Sequence, residues 1–192
     1  IDDRGLVAFW PKSRGYVALT AWSLEFLAEA KKRGEPVDDK LLERLTRVLK
    51  QSLRSDYPHL LSGSEYLERA TALEALTLAG ESDEAYLAEL SRQAGFLAPE
   101  AAARVTVALA QAKQSDPQAL ARLTAQLWEA VETRGFQGRE MYAGLRDGAS
   151  GSPLILPSEA RPLATIIHAI ALAEPSEPRL TLLANALIGL GQ

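Results

Sequence analysis

Three consecutive blocks of sequence decide the fold: GYVALTAWSLEFLAEA at 15–30, KKRGEPVD at 31–38 and DKLLERLTRVLKQSLR at 39–54. The first is apolar nearly all round, with Glu25 and Glu29 its only charges. A helix that lacks a polar face is one with neighbours on every side. The last block is striped. Leu41, Leu42, Leu45, Val48, Leu49 and Leu53 keep helical spacing, while Lys40, Glu43, Arg44, Arg47 and Lys50 cover the opposite face. Such a helix buries one side and wets the other.

The same alternation recurs along the chain. Residues 64–79 and 83–93 form a second pair, with the first member, through Leu73, Leu76 and Leu78, the more apolar. Residues 98–112 are alanine- and valine-rich. Residues 117–132 follow with a stripe of Leu120, Leu123, Leu127 and Val131. Residues 159–173 carry Leu163, Ile166, Ile167 and Ile170, and 178–190 carry Leu180, Leu183, Leu187 and Leu190. Local chemistry supports the boundaries. Asp38 or Asp39 caps the second helix, and Ser62 with Glu65 has capping-box spacing before the third. Gly80 and Gly95 stand where C-caps belong, and Asp116-Pro117 is a cap followed by proline at the first helical position.

Buried and half-exposed helices in strict alternation require two layers, and pairs repeating every few tens of residues mean a solenoid or a closed toroid. The expected class is all-α: an α/α toroid-like array of antiparallel helix pairs. Two segments break the pattern. Residues 4–11 are short and aromatic enough to be extended. Residues 134–157, with Met141-Tyr142 and Leu154-Ile155-Leu156 among glycines, read as a loop or short β-hairpin.

The chain has 192 residues, no cysteine, and 21 basic against 25 acidic groups. Lack of cysteine excludes thiol catalysis, thiolate zinc sites and disulfides. A net charge of −4 gives no electrostatic reason to expect nucleic acid. No apolar run approaches the roughly 20 residues of a membrane span.

Candidate chemistry is sparse. His59 reads as a loop residue, and His168, inside Ile166-Ile167-His168-Ala169-Ile170, as a core or inter-helix histidine, since no carboxylate lies within a turn of it. Glu25 with Glu29, and Asp38 with Asp39, are carboxylate pairs that capping and solvation explain. The row Lys40, Arg44, Arg47, Lys50 and Arg54 reads as a solvated outer face. Trp10, Trp22 and Trp128 read as packing anchors. No nucleophile elbow or phosphate-binding glycine loop is present. The sequence therefore predicts no catalytic, cofactor-binding or metal site, and no cofactor.

Gly5-Leu6-Val7-Ala8-Phe9-Trp10-Pro11 followed by Gly15-Tyr16-Val17-Ala18-Leu19-Thr20-Ala21-Trp22 resembles a passage in the bacterial alpha-2-macroglobulins. The turn Lys31-Lys32-Arg33-Gly34-Glu35-Pro36-Val37, the glycine-rich insertion at 134–157 and the helix through Ile166 to Glu174-Pro175 are similar as well. The resemblance implies part of a thioester-domain-like helical toroid, spanning 1–192, in a non-enzymatic protease-trapping protein of the periplasm that is membrane-anchored through its parent. It implies as partners the other domains of the same chain and, through the parent, proteases. The family's Cys-x-x-Gln thioester motif is missing from these residues; in the family it lies upstream of the glycine–aromatic phrase, which leaves two alternatives, a motif ahead of Ile1 or a parent without one, as in the bacterial members that lack the thioester. A partial ring leaves apolar flanks, from Val17, Leu19, Trp22, Leu24 and Phe26 at one end and Leu182, Leu183 and Leu187 at the other, which predicts self-association. Two other readings stay open: an (α/α) toroid enzyme related to glycoside hydrolases or terpenoid cyclases, and a generic helical-repeat interaction module.

Overall fold

The computed structural model describes residues 1–146, 154 and 158–191. Among them are eight α-helices: α1 (Val17–Lys32), α2 (Asp39–Ser52), α3 (Glu65–Leu78), α4 (Glu84–Arg92), α5 (Pro99–Gln111), α6 (Pro117–Ala130), α7 (Ala160–Ala173) and α8 (Leu180–Leu190). A two-stranded antiparallel sheet, β1 (Val131–Phe136) and β2 (Arg139–Leu145), stands between α6 and α7.

The odd-numbered helices form an inner row in chain order, α1 on α3, α3 on α5 and α5 on α7. The even-numbered helices cover it. Helix α2 lies on both α1 and α3, and α6 on both α5 and α7. Helix α4 leans on α5, and α8 on α7. Composition explains the layering. From Ala70 to Thr77 in α3, and from Glu100 to Leu109 in α5, every residue is buried. Alanines 70, 72, 75, 101, 102, 103 and 108 let these inner backbones approach closely, while Leu45, Leu49, Leu90, Leu123 and Leu127 reach in from the outer helices. Each such leucine contributes roughly 1.5–3 kcal/mol by leaving water.

The end members of the inner row are open on one side. Phe26 of α1 is 72% exposed, and His168 and Leu172 lie on a wet face of α7. His168 is thus a surface residue rather than a core one. It shares an outward stripe with Leu172, one turn further along α7. The predicted flanks also need revision. Val17, Leu24 and Leu183 are buried, and the exposed apolar residues of α8 include Ile188 and Leu190.

Local corrections follow from local chemistry. Helix α6 stops at Ala130, two residues short of the expected 132, because Val131 and Glu132 pair with Leu145 and Gly144 in the sheet. β-branched Val131 and Thr133 suit a strand better than a last helical turn. The hairpin turns through Gln137 and Gly138, both at positive φ (49° and 75°), as a two-residue primed turn demands. The expected insertion is therefore a hairpin beginning at 131, and residues 147–153 and 155–157 of that expectation lie outside the described residues. Ser62 is not a cap: α3 starts at Glu65 behind Ser64, which makes no side-chain cap bond. Gly95 sits in a 3-10 turn, Ala94–Phe96, and caps nothing. Gly80 does cap α3: at φ +81° it lets Glu81 N–H reach the Leu76 carbonyl at 2.8 Å and its own N–H reach Thr77.

Candidate functional site

Two arrangements concentrate polar chemistry, and neither rests on a histidine. The first lies between inner helices. Glu74 of α3, Glu100 and Arg104 of α5, and Arg161 of α7 form a chain of ion pairs through the row. Arg104 donates to Glu74 at 2.6 Å and to Glu100 at 3.3 Å, and Arg161 donates to Glu100 at 3.2 Å. The side chains of Glu74, Glu100 and Arg104 are only 5%, 3% and 8% exposed. Burial pushes the Glu74 carboxyl up to about 7, and the nearby negative charges of Glu25 and Glu100 add to this; the Arg104 guanidinium pulls the other way and is outweighed. A buried carboxylate costs several kcal/mol of lost hydration, which a close cation only partly repays. Arg104 Nε is itself buried without a partner.

Glu68, also buried, plays a different part. Its carboxylate accepts the Ala18 N–H at 3.2 Å and the Leu61 N–H at 2.7 Å, so a residue of α3 caps α1. Burial nonetheless raises its carboxyl above the usual range. None of these five charged residues stands out in the sequence, because each is embedded in an apolar helix. The available signal was the i,i+4 spacing of Glu100 and Arg104 inside an alanine run, where a solvated face has no place.

The second arrangement is the loop ahead of α1. The Asp2 carboxylate accepts the backbone N–H groups of Arg4, Leu6 and Gly15, at 3.0, 2.9 and 3.0 Å, and two bonds from the Arg4 guanidinium. Burial by itself would raise this carboxyl, but those hydrogen bonds outweigh it and hold it at about 2. An isolated antiparallel bridge joins Ala8 to Gly15. A side chain at Gly15 would meet Leu6 at 2.5–2.6 Å, so only glycine fits. Most of residues 4–11 is therefore turn rather than strand. Trp10 projects from it 75% exposed, and is not a packing anchor. Trp22 is half-buried; Trp128 does anchor, donating to Glu174 at 3.3 Å beneath the Arg179 guanidinium at 3.9 Å.

Other expected positions are structural or apart. Asp38 caps α2 through the Lys40 N–H, and Asp116 caps α6 through Gln118 and Ala119. Glu29 pairs with Lys32, while the charge of Glu25 acts on Glu74. His59 stacks edge-on against Tyr57 in the loop after α2, and no group of potential metal ligands forms among the described residues. The cations of α2 and Arg54 just beyond it are exposed, Lys50 pairing with Glu81 and Arg54 with Asp56.

The same overall fold recurs over nearly the whole chain in three solved structures. A Salmonella alpha-2-macroglobulin reacted with methylamine matches 99% of this chain with a TM-score of 0.73 at 16% identity. The fold is that of a segment of bacterial alpha-2-macroglobulins. The native conformation of Escherichia coli alpha-2-macroglobulin matches 96% of the chain (TM-score 0.69, 19% identity), and a crystal structure of that protein from domain MG7 to the C-terminus matches 97% (0.67, 17%). The chain spans 12% and 11% of the two longer macroglobulins and 28% of the shorter one. No protein-family model and no curated protein matches the sequence. At such low identity the shared property is the macroglobulin fold itself.

Proposed function

We propose that residues 1–192 are the greater part of a thioester-domain-like helical domain in a macroglobulin-like protein that traps proteases without catalysing a reaction. The observation that carries this reading is the macroglobulin fold match over 99% of the chain, with a TM-score of 0.73. The polar geometry supports it. The carboxylates closest to an active-site pair, Glu74 and Glu100, are sealed between helices and bound to arginine, out of reach of any substrate. The open faces at Phe26 and at Ile188 and Leu190 are suited to covering by further domains of a parent polypeptide, or by self-association of the isolated chain. An extracytoplasmic location belongs to the same reading, and no helix among the described residues is long and apolar enough to cross a membrane.

The test uses the full-length gene product. Mixed with trypsin, it is expected to block cleavage of casein while hydrolysis of a small chromogenic peptide continues, as enclosure of the protease would require. Unimpeded casein cleavage, or hydrolysis of either substrate by the protein alone, overturns the proposal.

A further inference from the structure

The hairpin between α6 and α7 leaves one edge and one face unused. Strand β1 pairs with β2 alone, and Glu132 to Phe136 are exposed throughout. A two-stranded ribbon gains little stability by itself in water, and every residue from 133 to 141 is exposed. In a hairpin that turns through two residues, here Gln137 and Gly138, the flanking pair is hydrogen-bonded, and bonded and unbonded pairs then alternate. The flanking pair is Phe136 and Arg139, so the backbone N–H and C=O groups of Gly135 and Thr133 point to the open side of β1. Such a row is a template for another strand. Nothing lies within 4 Å of where a side chain at Gly135 would stand.

The two faces of the ribbon differ in charge. The register puts Thr133, Gly135, Glu140 and Tyr142 on the inner face. There the Tyr142 hydroxyl donates to Glu159 at 2.6 Å, and Thr133 and Glu140 line a depression with Trp128, Arg179 and Leu182. Arg134, Phe136, Arg139 and Met141 therefore share the outer face, with Phe136 57% and Met141 43% exposed. Glu140 is engaged on the inner face, where it accepts the Thr133 hydroxyl at 2.7 Å and acts on Arg179. Glu132 stands at the base, across the bulge that follows it and two residues short of Arg134. Helix α8, which packs on β2, contains no charged residue. Toward the tip the outer face thus carries the Arg134 and Arg139 guanidinium groups and no carboxylate. Neither arginine is in an ion pair among the described residues.

We propose that the open edge of β1 takes up an extended protein segment as a third strand, one that presents a carboxylate and an apolar side chain at alternate positions. Pairing with Thr133 and Gly135 supplies main-chain hydrogen bonds, and the side chains on the outer face of the added strand fall beside Arg134 and Phe136. A carboxylate there meets the planar fork of Arg134, and an apolar residue two positions away covers Phe136. A second copy is a poorer occupant, because β1 against β1 brings Arg134 and Arg139 of both copies onto one sheet face. Two unpaired cations fall short of the roughly four to eight that draw a segment to an anionic membrane. The edge lies apart from any enclosure of a protease, and its test does not depend on that reading.

The probe is a fluorescein-labelled peptide with glutamate and valine alternating on one face and threonine on the other, titrated by anisotropy against the full-length gene product. It is expected to bind at least about tenfold more tightly than its lysine counterpart. Gly135→Pro should weaken it by about tenfold or more, since it deletes an edge N–H at a position where proline leaves the pairing with β2 alone. Arg134→Glu with Arg139→Glu, two exposed positions, should weaken it similarly without touching the backbone, while Lys113→Glu, at the far end of α6, should stay within about twofold. N-methylation of the alternate peptide residues whose amides face β1 should abolish binding, and N-methylation of the intervening ones should not. Equal binding of the glutamate and lysine peptides, full binding by Gly135→Pro, or equal effects of the two methylation patterns overturns the proposal. So does flotation with phosphatidylglycerol vesicles that Phe136→Ser abolishes, or a concentration-dependent mass in light scattering that Gly135→Pro abolishes, since each names a different occupant.

Discussion

The inner helices and three of the four outer ones start in opposite ways. Outer helices α2, α4 and α6 carry their own caps: Asp38, Asp83 and Asp116 each accept an N–H from the first turn that follows. No inner helix does. At the start of α1 the Ala18 N–H is met by Glu68 of the neighbouring helix, and α5 starts on Pro99 behind Ala98. Outer helices α2, α4 and α6 are specified locally, by an aspartate and a stripe, whereas α8 starts behind Arg179 without a side-chain cap. Inner helices are specified by each other, through close alanine packing and charges shared across the row. The difference predicts where a substitution stays local and where it spreads.

The largest expected effect comes from breaking the inner chain of charges. Arg104→Met leaves Glu74 without its cation and Glu100 with Arg161 alone. Stranding a buried charge costs about 3–5 kcal/mol, so a large drop in the denaturant midpoint is expected. Glu74→Leu combined with Arg104→Met should recover much of that loss, because replacing both partners removes the stranded charge. A single variant as stable as the parent would show that the inner row tolerates lone charges, and the contrast with the outer layer would fail.

Next in size is pH dependence. The folded Glu74 carboxyl titrates near 7, against 4.5 in a free chain, so the native state holds on to its proton as the pH rises. Its contribution to stability is complete below pH 4.5 and declines as pH rises through 7, by an amount on the order of a few kcal/mol. Asp2 works in the opposite sense but at lower pH, since its stabilisation is lost only as pH falls from 3.8 toward 2. Thermal unfolding from about pH 5 to about pH 8 should therefore show a decline that Glu74→Gln flattens. A parent curve that rises over this window would contradict the assignment.

The smallest effect tests the outer layer. Asp116→Ala removes a side chain that accepts two N–H groups and should cost about 1 kcal/mol. Ser64→Ala, at the equivalent position of inner helix α3, makes no cap bond to lose and should stay within about 0.5 kcal/mol. Equal losses would erase the distinction between the layers.

The same contrast explains what was legible in the sequence. Helix order, the two layers and the caps at Asp38 and Asp116 are written in periodicity and in residues next to the feature they control. The hairpin was visible as a break in the pattern, but its start was not, because Val131 satisfies a helical stripe and a strand equally well. The buried Glu74–Arg104–Glu100 chain left a single trace, the spacing of Glu100 and Arg104 inside the alanine run; Glu74 is 30 residues from Arg104, and its role depends on which helices become neighbours. Trp10 misled for the opposite reason. Its type says core, and only the bracing of its loop by Asp2 and Gly15 turns it outward.

The junction of α6 and β1 has a mechanical consequence. Ala130 ends the helix and Val131 begins the strand with no residue between them, and Arg146 N–H returns to the Ala130 carbonyl at 2.8 Å. The hairpin is thus continuous with the last turn of α6, and a few degrees of rotation in that helix become a displacement at its tip. A spin label at Gln137, paired with one on α2, would turn that lever arm into a gauge of how far the outer layer rolls over the inner one.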